Sequence, residues 1–177
     1  MRAFTAVDIE DTGIKLELEK LQRKLDFGFN LVKSEKMHIT LQFFQEIEDE
    51  EAEEIIAAIK ETDIEPFKLE IRGAGVFPSK DHLRVVWAGV ESEEIYELKE
   101  QVSDHSVESS NNHDFHPHVT LARVDSVSAR HRKQFRETLE DVEDEVIGKI
   151  EVDSVKLFES IRTGNGTEYR ELEEVEL

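Results

Sequence analysis

Apolar residues in this chain fall into two rhythms that take turns along its length. Residues 3–7 (Ala-Phe-Thr-Ala-Val) read as a strand, and residues 11–25 place Ile14, Leu16, Leu18, Leu21 and Leu25 near the 3.6-residue repeat of a helix. A second strand carries His38, Ile39, Thr40 and Leu41. Residues 49–60 form a second helix with Ala52, Ile55, Ile56 and Ile59 on one face, and residues 67–71 alternate as a strand ending at a turn around Gly73 and Gly75. The same order then returns: a strand at 83–90, a helix at 92–107 with Ile95, Leu98 and Val102 inward, a strand containing His118, a helix at 128–139 and an alternating strand at 147–152. Two further strands, 155–161 and 167–172, form a hairpin around Thr163-Gly164-Asn165-Gly166.

Strand, helix, strand, helix, strand occurring twice points to an internal duplication, and a duplicated unit packs about a pseudo-two-fold axis. No Pro- or Ser-rich linker separates the halves. The expected organisation is one bilobal domain over residues 1–177, with approximate repeats at 1–80 and 81–153 and a C-terminal hairpin at 154–177.

The repeat carries chemistry at matching positions. His38-Ile39-Thr40-Leu41 and His118-Val119-Thr120-Leu121 lie 80 residues apart, and in each the alternation of a half-buried strand sends His and Thr to the same face. A buried core has no use for His and Thr together, because each would need a polar partner. An imidazole can give or take a proton near neutral pH, and a Thr hydroxyl can hydrogen-bond an anionic oxygen. A pseudo-two-fold axis would bring His38 and His118 together in a central cleft. Arg123 is the cationic candidate for a phosphate, since a guanidinium holds two oxygens in a fork. Strict alternation puts Arg123 on the face opposite His118, so it can serve only where the strand ends, twists or bulges.

Composition narrows the chemistry. The absence of cysteine excludes disulfides, thiolate catalysis and Cys-ligated metal sites. There is no apolar run long enough to span a membrane, and the opening residues do not form a signal peptide, so a cytoplasmic location is expected. The 42 acidic against 22 basic residues give a net charge of −20. Such a field repels nucleic acid in dilute buffer. At molar salt the screening length falls to roughly 3 Å, so the composition reads as that of a halophilic protein whose acidic runs are solvated surface.

Other histidines compete for attention. His113, Asp114, His116 and His118 raise a metal reading, because His-x-His on a strand points both rings to one side. It has no counterpart before His38 and leaves the repeat unexplained, so no metal site is assigned. His116-Pro117 reads as a rigid entry to the strand. His82, His105 and His131 carry no motif, and Arg130-His131-Arg132-Lys133 reads as basic helix surface.

With two His-x-Thr tetrads on a duplicated unit, the chain resembles the two-histidine (2H) phosphoesterase superfamily, and within it the RNA 2',3'-cyclic phosphodiesterases, also known as 2'-5' RNA ligases. The likeness extends to Arg2-Ala3-Phe4-Thr5-Ala6, His38-Ile39-Thr40-Leu41-Gln42-Phe43, Gly75-Val76-Phe77-Pro78, Arg84-Val85-Val86-Trp87-Ala88-Gly89-Val90 and His116-Pro117-His118-Val119-Thr120-Leu121-Ala122-Arg123. Gln45 departs from the family, which commonly has Gly there, and puts the local turn in question. The resemblance implies an α+β fold of two pseudo-symmetric lobes of antiparallel sheet with outer helices, both motifs lining the central cleft. It implies hydrolysis of an RNA 2',3'-cyclic phosphate to a 2'-phosphate by a monomer, without metal or nucleotide cofactor. By that analogy His38 is the proton donor, His118 the proton acceptor, and Thr40, Thr120 and Arg123 hold the phosphoryl oxygens; the same site run backwards would ligate RNA without ATP. Action on 2'-5' oligonucleotides or small cyclic nucleotides, and non-catalytic RNA binding, are the competing readings.

Overall fold

The protein, seen in a computed structural model, is described over residues 1–103 and 114–177. Its strands are β1 (Ala3–Asp8), β2 (Asn30–Leu31), β3 (His38–Phe44), β4 (Phe67–Ser79), β5 (His82–Glu91), β6 (His118–Arg123), β7 (Val146–Val152), β8 (Ser154–Thr163) and β9 (Gly166–Glu176). The helices are α1 (Thr12–Lys24), α2 (Asp49–Lys60), α3 (Glu94–Val102) and α4 (Ala129–Val142). Asp11 caps α1 by accepting from the Ile14 amide, Ser128 caps α4 through His131, and a capping box between Glu48 and Glu51 opens α2.

All nine strands form one antiparallel sheet in the order β7-β4-β5-β6-β3-β1-β8-β9, with β2 added along β6. The two expected lobes are the halves of this continuous sheet, and they meet between β3 and β6 at a single pair, Ile39 opposite Val119. The halves do not coincide with the two sequence repeats, because β4 closes the first repeat but pairs with β5 and β7. Helix α1 packs on β6 and β7, α4 on β4, and α2 against α3 and β9. Ile39, Leu41, Val119 and Leu121 join the buried residues of all four helices in one apolar cluster. That cluster fixes which face of the central strands is left for chemistry.

Several local expectations need correction. Leu16 is 58% exposed rather than inward, since it lies two residues, or about 200°, around the helix from Ile14. Strand β4 runs through Gly73 and Gly75 to Ser79 instead of turning there; Gly73, with φ of 73°, marks a break in register with β5 that the strand survives. Helix α3 stops at Val102, because Ser103 is extended, and residues 104–107, with His105 and His113, lie outside the described residues. The bend at Gln45 needs no glycine: among the described residues every positive φ belongs to Gly.

Both central strands bulge at the same place in their motif. Along β3 the partners of β1 step from Thr40 to Gln42, skipping Leu41; along β6 the partners of β5 step from Thr120 to Ala122, skipping Leu121. The extra residue reverses the alternation, so Leu121 and Ala122 are both buried and Arg123 emerges on the face of His118 and Thr120. The displaced Leu121 carbonyl is taken up by the Val32 amide at 2.9 Å and by Nε2 of Gln22 at 2.7 Å. Gln22 is a buried residue of α1, and the same Nε2 donates to the Val32 carbonyl at 2.7 Å. Gln22→Leu strips this side-chain donor from two carbonyls and is expected to lower the unfolding free energy by about 1–3 kcal/mol in urea titrations. Parental stability in that variant would mean the bulge needs no side-chain support.

Candidate active site

The two motif histidines are held by the same backbone device. Nδ1 of His38 lies 2.7 Å from the Lys36 carbonyl, and Nδ1 of His118 lies 2.7 Å from the His116 carbonyl. A carbonyl only accepts, so Nδ1 carries the proton in both rings and Nε2 is left to change its protonation state. A short 3-10 turn, Ser34–Lys36, delivers the carbonyl to His38; residues 114–117, outside any helix or strand, deliver it to His118. Nε2 of His38 is 3.0 Å from Oγ1 of Thr40. Continuing the antiparallel register from Ile39 and Val119 sets His38 across from Thr120 and Thr40 across from His118.

Aromatic rings fix both imidazoles. Phe4 stacks on His38 at 4.9 Å between centroids and Tyr169 meets it edge-on at 5.4 Å. Phe77 lies edge-on to His118 at 5.0 Å, with Trp87 at 6.3 Å. Trp87 can lie there because Gly75 is beneath it; a Cβ on Gly75 would fall 2.3 Å from the indole. A cavity of about 410 Å³ opens beside His38, with Asp8, Lys33, Lys36, Phe158 and Tyr169 among its lining residues.

Burial, the largest influence, pushes the His38 pKa below 6.5; its bond to Lys36 and the Asp8 carboxylate work upward, and His118 and Arg123 downward. Burial also lowers His118, opposed by its bond to the His116 carbonyl and assisted by His116 and Arg123. The Arg123 guanidinium therefore acts on both rings, which places a cation beside two potential proton carriers. In the first repeat the position matching Arg123 is Phe43, with the Arg2 guanidinium 5.3 Å from its ring centre.

The structure thus brings His38, Thr40, His118, Thr120 and Arg123 to one face of adjacent strands. His116 stacks beside His118 at 6.3 Å and edges against Trp87 at 4.9 Å, and so belongs to the aromatic wall. Among the described residues no three His, Asp or Glu side chains are grouped to hold a metal ion. Sequence reasoning missed Gln22, Asp8 and Lys156. Their only signal is polar character inside or next to apolar elements, and their meaning comes from partners far away in the chain.

A sheet whose two middle strands present matched His-x-Thr motifs on one face is the architecture of the 2H phosphoesterases. The profile described as LigT like Phosphoesterase matches twice, over residues 7–87 and 89–169, and the chain belongs to that family. A curated relative from Aeropyrum pernix, named RNA 2',3'-cyclic phosphodiesterase, is 38% identical over 81% of this chain and 84% of its own length. A relative of the same name from Methanocaldococcus jannaschii is 29% identical over 98% of this chain and 99% of its own. The crystal structure of a Thermus thermophilus protein superposes with a TM-score of 0.84 at 27% identity, covering 100% of this chain and 98% of that one. Escherichia coli LigT in its apo form shares the fold, with a TM-score of 0.78 at 22% identity over 99% and 96% of the two chains.

Because burial depresses both imidazoles, each should be mostly neutral at neutral pH. Proton NMR titration of the free protein is expected to give midpoints below 6.5 for both His38 and His118. A midpoint above 6.5 for either ring would show that its neighbours outweigh burial.

Proposed function

We propose that this protein hydrolyses the 2',3'-cyclic phosphate at an RNA end to a 2'-phosphate, using His38 as proton donor and His118 as proton acceptor. The observation that carries the reading is the matched anchoring of the two rings, with each Nδ1 tied to a carbonyl and Arg123 on the same face. The shared name of the archaeal relatives supports the substrate class.

Nε2 of His118 takes a proton from water as its oxygen attacks the cyclic phosphorus. The bond from phosphorus to ribose O3' breaks, and Nε2 of His38 delivers a proton to that departing oxygen. The Thr40 and Thr120 hydroxyls and the Arg123 guanidinium hold the non-bridging oxygens as charge moves onto them. Proton transfer and fixed donors carry every step, so neither metal nor nucleotide cofactor is required. Arg123 favours the neutral form of both rings and so does not by itself separate base from acid. With a 5'-hydroxyl in place of water as the nucleophile, the same groups join a cyclic phosphate to that hydroxyl as the bond to O3' breaks, which is 2'-5' ligation without ATP. The chain acts as one bilobal unit, a reading supported by the two successive family matches.

The decisive assay uses an RNA ending in a 2',3'-cyclic phosphate. His38→Ala and His118→Ala are each expected to reduce kcat/KM by about 10²–10⁴-fold, with the double variant little worse than either single one, because groups acting as a unit are non-additive. A chelator is expected to change nothing. Near-parental turnover in one single variant, or loss of turnover on chelation, would overturn the mechanism. Tight RNA binding without turnover would point to a binding module instead.

The net charge of −20 supports a cytoplasm of high salt as the working medium. Thermal stability and initial rate are both expected to rise across a potassium chloride series from about 0.05 to 3 M, as screening relieves carboxylate repulsion. Optimal stability and rate at the lowest salt would contradict the adaptation.

A further inference from the structure

The two histidines are matched in their anchors but not in what faces them across the strand. Opposite His38, β1 places Asp8; opposite His118, β5 places Gly89. Asp8 belongs to a cluster built around Lys156, whose side chain is only 8% exposed. Its ammonium lies 3.2 Å from Asp8, 2.8 Å from Glu10 and 3.2 Å from Glu171. Burial works against the Lys156 charge, but the hydrogen bonds its ammonium donates to Glu10, Glu171 and Asp8 outweigh it and raise its pKa. One ammonium among three carboxylates leaves the cluster with a net charge of −2, arrived at by counting one cation against three anions.

We propose that the Asp8–Lys156 cluster is a positioning device that makes His38 the proton donor of the pair, by setting a pinned carboxylate opposite its ring while His118 has Gly89 opposite it. The inference rests on the two-histidine mechanism above and adds what assigns its roles. Lys156 fixes where the Asp8 carboxylate sits, and its partial neutralisation sets how strongly Asp8 favours the imidazolium form of His38. The remaining charges around His38 do not reverse this bias. Lys33 and Lys36 line the same cavity and are balanced there by Glu35 and Glu168; Tyr169 presents its ring edge. His118 and Arg123, on β6, work against protonation of His38. Around His118 the influential neighbours are His116 and Arg123, both of which favour the neutral ring. The facing carboxylate thus offsets part of the burial effect at His38, and no such carboxylate is among the influences on His118.

The sign of two variants separates this device from a scaffold. Asp8→Asn removes the facing negative charge, so the His38 midpoint should fall. Lys156→Met removes the neutralising positive charge, so it should rise. Lys156→Arg keeps the charge and should restore the parental value. Both charge-removing variants break the same ion pair, so a purely structural role would move them together. The readout is the NMR titration of the His38 and His118 ring protons in the free, full-length protein, which needs no substrate and is valid whatever the enzyme turns over. The pH dependence of kcat/KM on cyclic-phosphate RNA then follows, with its basic limb moving in the same direction as His38. Shifts of one sign in both variants, or an equal shift in His118, would overturn the proposal. Should Lys156→Met fail to fold, Asp8→Asn decides alone: an unmoved His38 midpoint refutes the device.

Discussion

Everything at the centre of this sheet depends on a one-residue defect made twice. A strand of perfect alternation would send Arg123 to the buried face with Leu121, into an apolar cluster where a guanidinium has no partner. The bulge at Leu121 reverses the phase and puts the cation beside both imidazoles. Its cost is a carbonyl turned out of the ladder, and the structure meets that cost from outside the sheet, with Gln22 of α1 and the amide of Val32. The bulge at Leu41 repeats the geometry in β3, but there the emerging residue is Phe43. Duplication has kept the backbone defect while the side chains it exposes have diverged.

The same divergence separates the two rings. Both are half-buried, both are tied through Nδ1 to the carbonyl two residues earlier, and both are pushed down by desolvation. Anchoring of this kind fixes orientation and tautomer but leaves the two imidazoles equivalent. Unequal behaviour has to come from the cross-strand neighbours, where Asp8 stands against Gly89. Symmetry therefore supplies two matched imidazoles, and its local breaking gives them different cross-strand neighbours.

The periodic elements and the two tetrads are legible in the sequence because each is a local pattern with a single physical cause. Residues 49–60 bury Ala52, Ile55 and Ile59 as their spacing requires. Leu16 fails for the complementary reason: apolar character without the right angle does not face a core. The extent of β4 is misread because a glycine inside a strand and a glycine at a turn look alike until a neighbouring strand is known to pair on both sides. The bulges, Gln22 and the Lys156 cluster are invisible for a deeper reason. Gln22 meets Leu121 across 99 residues and Lys156 meets Asp8 across 148, so no window of the sequence contains both partners.

Charge in this protein works at two ranges that should not be confused. The surplus carboxylates on the surface set a mean field that salt removes within a few ångströms, roughly 3 Å at 1 M. The ion pairs around Lys156 are in contact and partly withdrawn from solvent, so the same salt screens them far less. A cluster of direct contacts can therefore keep its influence on His38 in a medium where the rest of the acidic surface has become electrostatically silent. Close-range placement is the form of electrostatics that salt screens least, and it is the form found beside His38.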